Sequence, residues 1–177
     1  EATVSLGITT RLDTLVLFSA LGFANAATAY AGRAVVVGWP GRARAAGAWA
    51  AVQAMVFGAL FVWLYQSETD AVVRWFRPAP SAELVRLTAL YFAIAAWAQV
   101  LGAGALGAIG AVHGSGRMVA PLVVDLVGFA IAAALLWAAA AGGADLAQCY
   151  VALSWGMGAV LCCQLAFVGL GRWPRAL

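Results

Sequence analysis

The stretch Gly102–Pro121 reads "GAGALGAIGAVHGSGRMVAP", and it determines how the rest of the chain is interpreted. It contains the end of one long apolar run, the polar segment "HGSGR" and the start of the next apolar run. Glycine-rich breaks of this kind occur in phosphate-binding loops and also in short turns between membrane helices. Because "GSG" lacks the lysine and the preceding strand of a phosphate-binding loop, the pattern favours a turn between two helices.

The composition is that of a protein whose solvent is mostly lipid. Of the 177 residues, 65% are hydrophobic and 10% are charged, whereas soluble domains are roughly half apolar and about a quarter charged. A soluble fold of this size cannot bury so much apolar surface. The net charge of +3 is small and dispersed along the chain, so we do not expect a nucleic-acid partner.

Five apolar stretches are each long enough to cross a hydrocarbon core, which takes roughly 20 helical residues. They lack the two-residue alternation of membrane β-strands and therefore predict helices. We predict an all-α integral membrane protein with one transmembrane bundle over residues 1–177 and spans at about 14–38, 45–65, 84–112, 118–141 and 147–170. Between the second and third spans, "TDAVVRWFR" (Thr69–Arg77) predicts a short amphipathic helix at the membrane surface.

Charges are distributed unequally over the two ends of these spans. At one end, arginines stand without acids: Arg42, Arg44, Arg117, Arg172 and Arg175. At the other end the arginines are matched by acids, among which we count Asp13. Since Lys and Arg in short loops mark the cytoplasmic side, we expect the chain to start outside and to end in the cytoplasm, in the inner (plasma) membrane.

Polar residues inside the spans are candidates for a transport cavity, because a charge in lipid costs free energy unless it finds a partner or water. The foremost candidate is Asp125, eight residues past Arg117 and so about 12 Å into the membrane. Its carboxyl group is either structural, satisfied by neighbouring helices or by water near the surface, or functional, lining a cavity or linked to a cation. The uncharged candidates are Asn25, Gln53 and Gln99.

The glycines of Gly102–Gly114 are expected to pack closely against neighbouring helices. The alternative is a glycine-rich helix that bends during a conformational cycle. Gly114 and Gly116 are expected to permit a tight reversal of the chain, and Pro121 to lie in the first turn of the next helix.

The sequence gives no support for catalysis. It contains no HExxH, GxSxG or P-loop motif, and His113 has no nucleophile nearby in sequence. The three cysteines show no metal-binding spacing and are expected to be small buried side chains. We therefore expect a protein that is not an enzyme and that holds no metal or organic cofactor.

Two loops carry glycine and arginine patterns that go beyond those of simple turns. The first is "AATAYAGRAVVVGWPGRARAAG" (Ala26–Gly47), and the second is "VHGSGRMVAP" (Val112–Pro121). Both resemble motifs of the multidrug and toxic compound extrusion (MATE) transporters. The first is similar to the end of a transporter helix and the Arg-Ala-Arg-like element that follows it, with matches at Gly32, Gly38, Pro40, Arg42, Ala43 and Arg44. The second is similar to the family's Leu-Arg-Gly-x-Gly-Asp-Thr element, with matches at Gly114, Gly116 and Pro121. The chain departs from the family at Arg33, which replaces a Gln or Asn, and at His113 and Arg117, which replace an Arg and an Asp.

The resemblance implies most of one six-helix bundle of a MATE-type transporter of the MOP superfamily, corresponding to the last five helices of the C-terminal half. It implies an antiporter in which Na⁺ or H⁺ entry drives export of cationic or amphipathic drugs by alternating access. The implied partners are membrane lipid, a small-molecule substrate and an N-terminal half encoded upstream in the same protein. An acidic cation ligand of some family members falls at Gly102, where this chain has no carboxylate. The alternatives are a flippase of lipid-linked saccharides from the same superfamily and a non-transporting membrane subunit.

Overall fold

The computed structural model describes residues 1–171, 173 and 174, and the regular structure of this part of the chain is helical throughout. In chain order the elements are α1 (Ala2–Val36), α2 (Pro40–Ser67), α3 (Thr69–Phe76), α4 (Ala82–Leu90), a π-helical turn (Tyr91–Ala95), α5 (Ala96–Gly114), α6 (Val119–Ala141) and α7 (Leu146–Leu170). The segments α4, π turn and α5 follow without a break and form one helix, Ala82–Gly114. Arg172 and Arg175, which the charge distribution includes, lie outside the described residues.

The described part of the chain contains five helices that are long and apolar enough to cross a membrane: Ala2–Val36, Pro40–Ser67, Ala82–Gly114, Val119–Ala141 and Leu146–Leu170. Large hydrophobic side chains stand on their outward faces, including Phe18, Trp63 and Trp155. Apolar outer faces on helices are the arrangement that lipid requires. The fold is therefore that of a multi-pass helical membrane protein, and the short helix predicted at Thr69–Arg77 is confirmed by α3.

Two of the predicted spans begin too late. Helix α1 starts at Ala2 and α2 starts at Pro40, whereas the remaining predicted ends lie within two residues of the observed ones. The prediction followed apolarity, but a helix continues wherever one face still packs. In α1 a buried face with helical spacing extends upstream of the apolar run through Ser5, Ile8 and Leu12. Asp13 consequently lies inside a helix and not in a surface segment before one.

Helix α5 is the centre of the bundle, and it packs against α1, α2 and α7. Its buried residues are mostly Ala and Gly, which let backbones approach closely. A Cβ atom on Gly107 would lie 2.7 Å from the Ala50 carbonyl oxygen of α2, and Gly110 faces Ala24 of α1 in the same way. The packing interpretation of the glycine-rich stretch is confirmed, with successive glycines contacting different helices.

Helix α6 is peripheral and contacts mainly α7. Its buried residues are Pro121, Gly128 and Ala132. Gly128 packs against Val160 of α7, and Gly156 of α7 packs against Ala132. Because α6 has little contact with α5, a cavity remains between these two helices.

The chain reverses at glycines with positive φ angles, Gly38 (80°) and Gly116 (78°). Gly114 was predicted to take part in the second reversal, and that prediction is wrong. It is the last helical residue of α5 and packs against the backbone of Thr28 and Gly32 in α1. A side chain at this position would occupy the space of the α1 backbone. Pro121 lies in the first turn of α6, as predicted.

The expectation of buried cysteines is also wrong. Cys162 is exposed, and Cys149 and Cys163 are partly exposed. Helix α7 packs through one face only, so apolar residues on its other face are left to the surrounding lipid.

Candidate functional site

A cavity of about 350 Å³ lies between α1, α5, α6 and α7. Its walls are mostly apolar, and the polar side chains that line it are Gln99 of α5 and Asp125 of α6. Two predicted candidates from different helices therefore share one space. An apolar cavity with a small number of convergent polar groups is the usual form of a small-molecule site.

The Asp125 carboxylate accepts a hydrogen bond from the side-chain Nε2 of Gln164 in α7. Gln164 is fully buried, with 0% of its surface exposed. Its Oε1 has no hydrogen-bond partner among the described residues. A buried amide oxygen without a partner costs free energy. Carboxylate and amide oxygens are ligands that hard cations accept.

Gln99 connects this cavity to a second polar cluster, formed by Asp13, Tyr91 and Tyr150 with Tyr65 close to Asp13. The Tyr91 hydroxyl donates a hydrogen bond to the Asp13 carboxylate and lies beside the Gln99 side chain. The Tyr91 ring packs edge-on against Tyr150, with 5.5 Å between the ring centroids. Tyr91 begins the π-helical turn, an element that occurs frequently at functional sites.

Sequence reasoning missed this second cluster because Asp13 was counted as a surface acid. The helical spacing of Ser5, Ile8, Leu12 and Val16 was the available signal, since it places Asp13 within a helix that packs on others. The tyrosines themselves carry no sequence signal of this kind. They come from three separate helices and meet only in the folded chain.

The other two predicted cavity residues lie elsewhere. Gln53 is exposed and lines a groove between α1 and α2. Asn25 is exposed on α1 and lines neither this groove nor the cavity of Asp125. The four candidates are therefore divided, with Asp125 and Gln99 together and the other two apart.

The two motif-like loops meet at the same end of the bundle. A Cβ atom on Gly32 would lie 2.9 Å from the Gly114 carbonyl oxygen, so these glycines set the crossing of α1 and α5. Arg44 Nη2 donates a 3.0 Å hydrogen bond to the Gly171 carbonyl, which ties the start of α2 to the end of α7. Arg42 is exposed beside it. Gly32, Gly114 and Arg44 thus hold helices together, and none of the motif residues lines the cavity of Asp125.

The described residues contain no group of three or more His, Cys, Asp or Glu side chains arranged to hold a metal ion. Comparison of the chain with protein-family models, curated proteins and solved structures gives no match.

Proposed function

We propose that the chain is one helical bundle of a MATE-type secondary transporter, a cation-coupled antiporter that exports cationic or amphipathic compounds by alternating access. The observation that carries the proposal is the cavity lined by Asp125. A carboxylate attracts a cationic group, and the apolar walls accept the aliphatic or aromatic part of the same compound.

A single carboxylate also supplies a means of coupling. If the coupling ion, Na⁺ or H⁺, and the cationic substrate both require the Asp125 carboxylate, each displaces the other. Uptake of one is then linked to release of the other.

The packing of the bundle is compatible with a cavity that changes shape. Helices α1, α2 and α5 form a closely packed unit, whereas α6 is attached mainly through α7. Movement of α6 and α7 together would open or close the cavity and leave the α1–α2–α5 contacts in place, but it would have to rearrange the contacts of α7 with α5. The complete transporter would contain a second bundle, encoded upstream, and would lie in the inner (plasma) membrane.

The charge of the cavity favours this function over a flippase of lipid-linked saccharides. Phosphorylated substrates favour a cavity lined by Arg or Lys. None of the described residues that line this cavity is basic, and one is an Asp.

Replacing Asp125 by Asn in the complete protein tests the proposal. Asn keeps the size of the side chain but can neither carry the charge nor bind the coupling ion through a carboxylate. We therefore expect ion-gradient-driven efflux of a cationic dye to fall about tenfold or more. Dye accumulation is measured in cells, and again in vesicles with an imposed Na⁺ or H⁺ gradient.

The matched control is Asp70→Asn, which changes an exposed carboxylate in the first turn of α3. This variant should transport at the wild-type rate. Undiminished efflux by Asp125→Asn at normal expression would remove Asp125 from the coupling mechanism. Absence of gradient-dependent efflux from the unmodified protein would reject the antiporter function as a whole.

A further inference from the structure

A groove between α1 and α2 lies apart from the Asp125 cavity and is open to the outside of the bundle. Its main part has a volume of about 410 Å³ and contains small side chains, Ala27, Ala46 and Ala50. An adjoining space of about 280 Å³ reaches Arg33. Tyr30 and Arg42 line both spaces, so the two spaces adjoin at these residues. The main part is lined mostly by apolar side chains, together with Gln53 and Arg42, and the adjoining space adds Arg33.

The positive charge at this end is not neutralised within the described part of the chain. Arg33 and Arg42 are exposed. The ion pairs among the described residues, Arg77–Glu1 and Arg86–Glu83, lie at the opposite end of the bundle. The Arg42 guanidinium stacks on the Trp39 ring, 4.2 Å from its centroid. This cation–π contact holds Arg42 beside the groove.

The two arginines stand at the ends of their spans, where lipid headgroups are expected. Arg33 is in the last turn of α1, and Arg42 is in the first turn of α2, which begins at Pro40. Exposed aromatic residues, which prefer the membrane interface, stand at the same end, among them Tyr30 and Trp39. Ala50 is ten residues beyond Pro40, about 15 Å deeper along α2, so the apolar part of the groove extends into the hydrocarbon region.

We propose that this groove binds an anionic phospholipid. The phosphate lies between Arg33 and Arg42, and an acyl chain lies along the alanines of the groove. Guanidinium groups bind phosphate oxygens in pairs of parallel hydrogen bonds, and basic pockets between membrane helices bind anionic headgroups. The inference does not depend on the transport function, because the groove and the Asp125 cavity have no lining residue in common.

Native mass spectrometry of the complete protein tests this inference. The protein, purified in a mild detergent, is incubated with equal amounts of phosphatidylglycerol and phosphatidylcholine that carry the same acyl chains. We expect phosphatidylglycerol to be retained in preference. Arg33→Gln and Arg42→Gln should each lower its retention several-fold. Arg117→Gln removes one charge at the same end of the bundle but outside the groove, and it should keep the wild-type preference.

A second pair of variants tests the acyl-chain part without altering charge. Ala45 is exposed and lines the groove, whereas Ala48 is exposed on the same helix and does not line it. We expect Ala45→Phe to reduce phosphatidylglycerol retention and Ala48→Phe to leave it unchanged.

Several outcomes would overturn the inference. Equal retention of the two lipids would show that the groove does not select an anion. If Arg117→Gln lowered phosphatidylglycerol retention as much as the groove variants do, the effect would be one of general charge and not of the groove. Displacement of the lipid by inorganic phosphate alone would show that the acyl chain is not bound, and preference for a polyprenyl phosphate would assign the groove to a lipid-linked substrate.

Discussion

Three glycines of α5 lie where the backbone of a neighbouring helix occupies the space of a side chain. Gly107 faces the Ala50 carbonyl of α2, and Gly110 and Gly114 face the α1 backbone. The approach of α1 is close enough for Thr28 Oγ1 to donate a 2.7 Å hydrogen bond to the Gly110 carbonyl oxygen. In lipid, where apolar burial gives little net gain, such close packing and interhelical hydrogen bonds supply much of the stability.

Substitution of one of these glycines should therefore destabilise the bundle. In Gly107→Ala the new Cβ atom would lie 2.7 Å from the Ala50 carbonyl oxygen, so the two helices must separate. We expect the free energy of unfolding to fall by about 1–3 kcal/mol, the usual cost of overpacking. It is measured by thermal unfolding or denaturant titration in detergent micelles.

Gly22→Ala is the control for this prediction, because no atom lies within 4 Å of the position of its new Cβ atom. Removing a helical glycine there should raise the free energy of unfolding by about 0.5–1 kcal/mol. Equal effects of the two substitutions would show that α5 does not pack as described.

At the scale of elements, the bundle consists of a tightly packed part and a loosely attached part. Helices α1, α2 and α5 contact one another through Ala and Gly, whereas α6 is held mainly by α7. The α6–α7 contact depends on small residues on both helices. Gly156 of α7 faces Ala132 of α6, and Gly128 of α6 faces Val160 of α7.

A side chain at Gly156 should loosen α6 selectively. A Cβ atom there would lie 2.6 Å from the Ala132 Cβ atom, which forces α6 outward. We expect amide hydrogen exchange in α6 to become about tenfold faster in Gly156→Ala, with exchange in α5 unchanged. Mass spectrometry of proteolytic fragments gives the exchange rate of each helix.

The corresponding control on α7 is Gly158→Ala, whose new Cβ atom would make an ordinary 3.8 Å contact with Leu101. Exchange in α6 should then stay at the wild-type rate. Faster exchange throughout the bundle in Gly156→Ala would indicate that α6 is an integral part of the packed unit.

At the scale of the whole molecule, the five long helices place the turns at Gly38 and Gly116 at one end and the turn at Gly143 at the other. The first end is the one where the sequence has arginines without acids. By the distribution of Arg we expect it to face the cytoplasm.

Labelling of single cysteines tests this orientation. Gly41→Cys and Ser67→Cys place an exposed thiol at the two ends of α2, in a background from which Cys149, Cys162 and Cys163 have been removed. A membrane-impermeant maleimide should label Ser67→Cys in intact cells and Gly41→Cys only after permeabilisation. The reverse pattern would invert the predicted orientation, and labelling of both in intact cells would contradict the separation of these residues by the membrane.

The number and type of the spans and most of their ends were determined by the sequence itself, because crossing a lipid core is a property of each segment of about 20 residues separately. The early starts of α1 and α2 were not, because they depend on packing against other helices. The turn glycine Gly116 and the short helix α3 follow from local chemistry in the same way, whereas the role of Gly114 is set by its packing against α1. The grouping of polar side chains was decided only by the tertiary structure. Asp125 and Gln164 are 39 residues apart in sequence, and Asp13 and Tyr91 are 78 apart. Their meeting depends on which faces of α1, α5, α6 and α7 pack together. In this bundle that choice follows from contacts between small residues on different helices, which no single helix specifies alone.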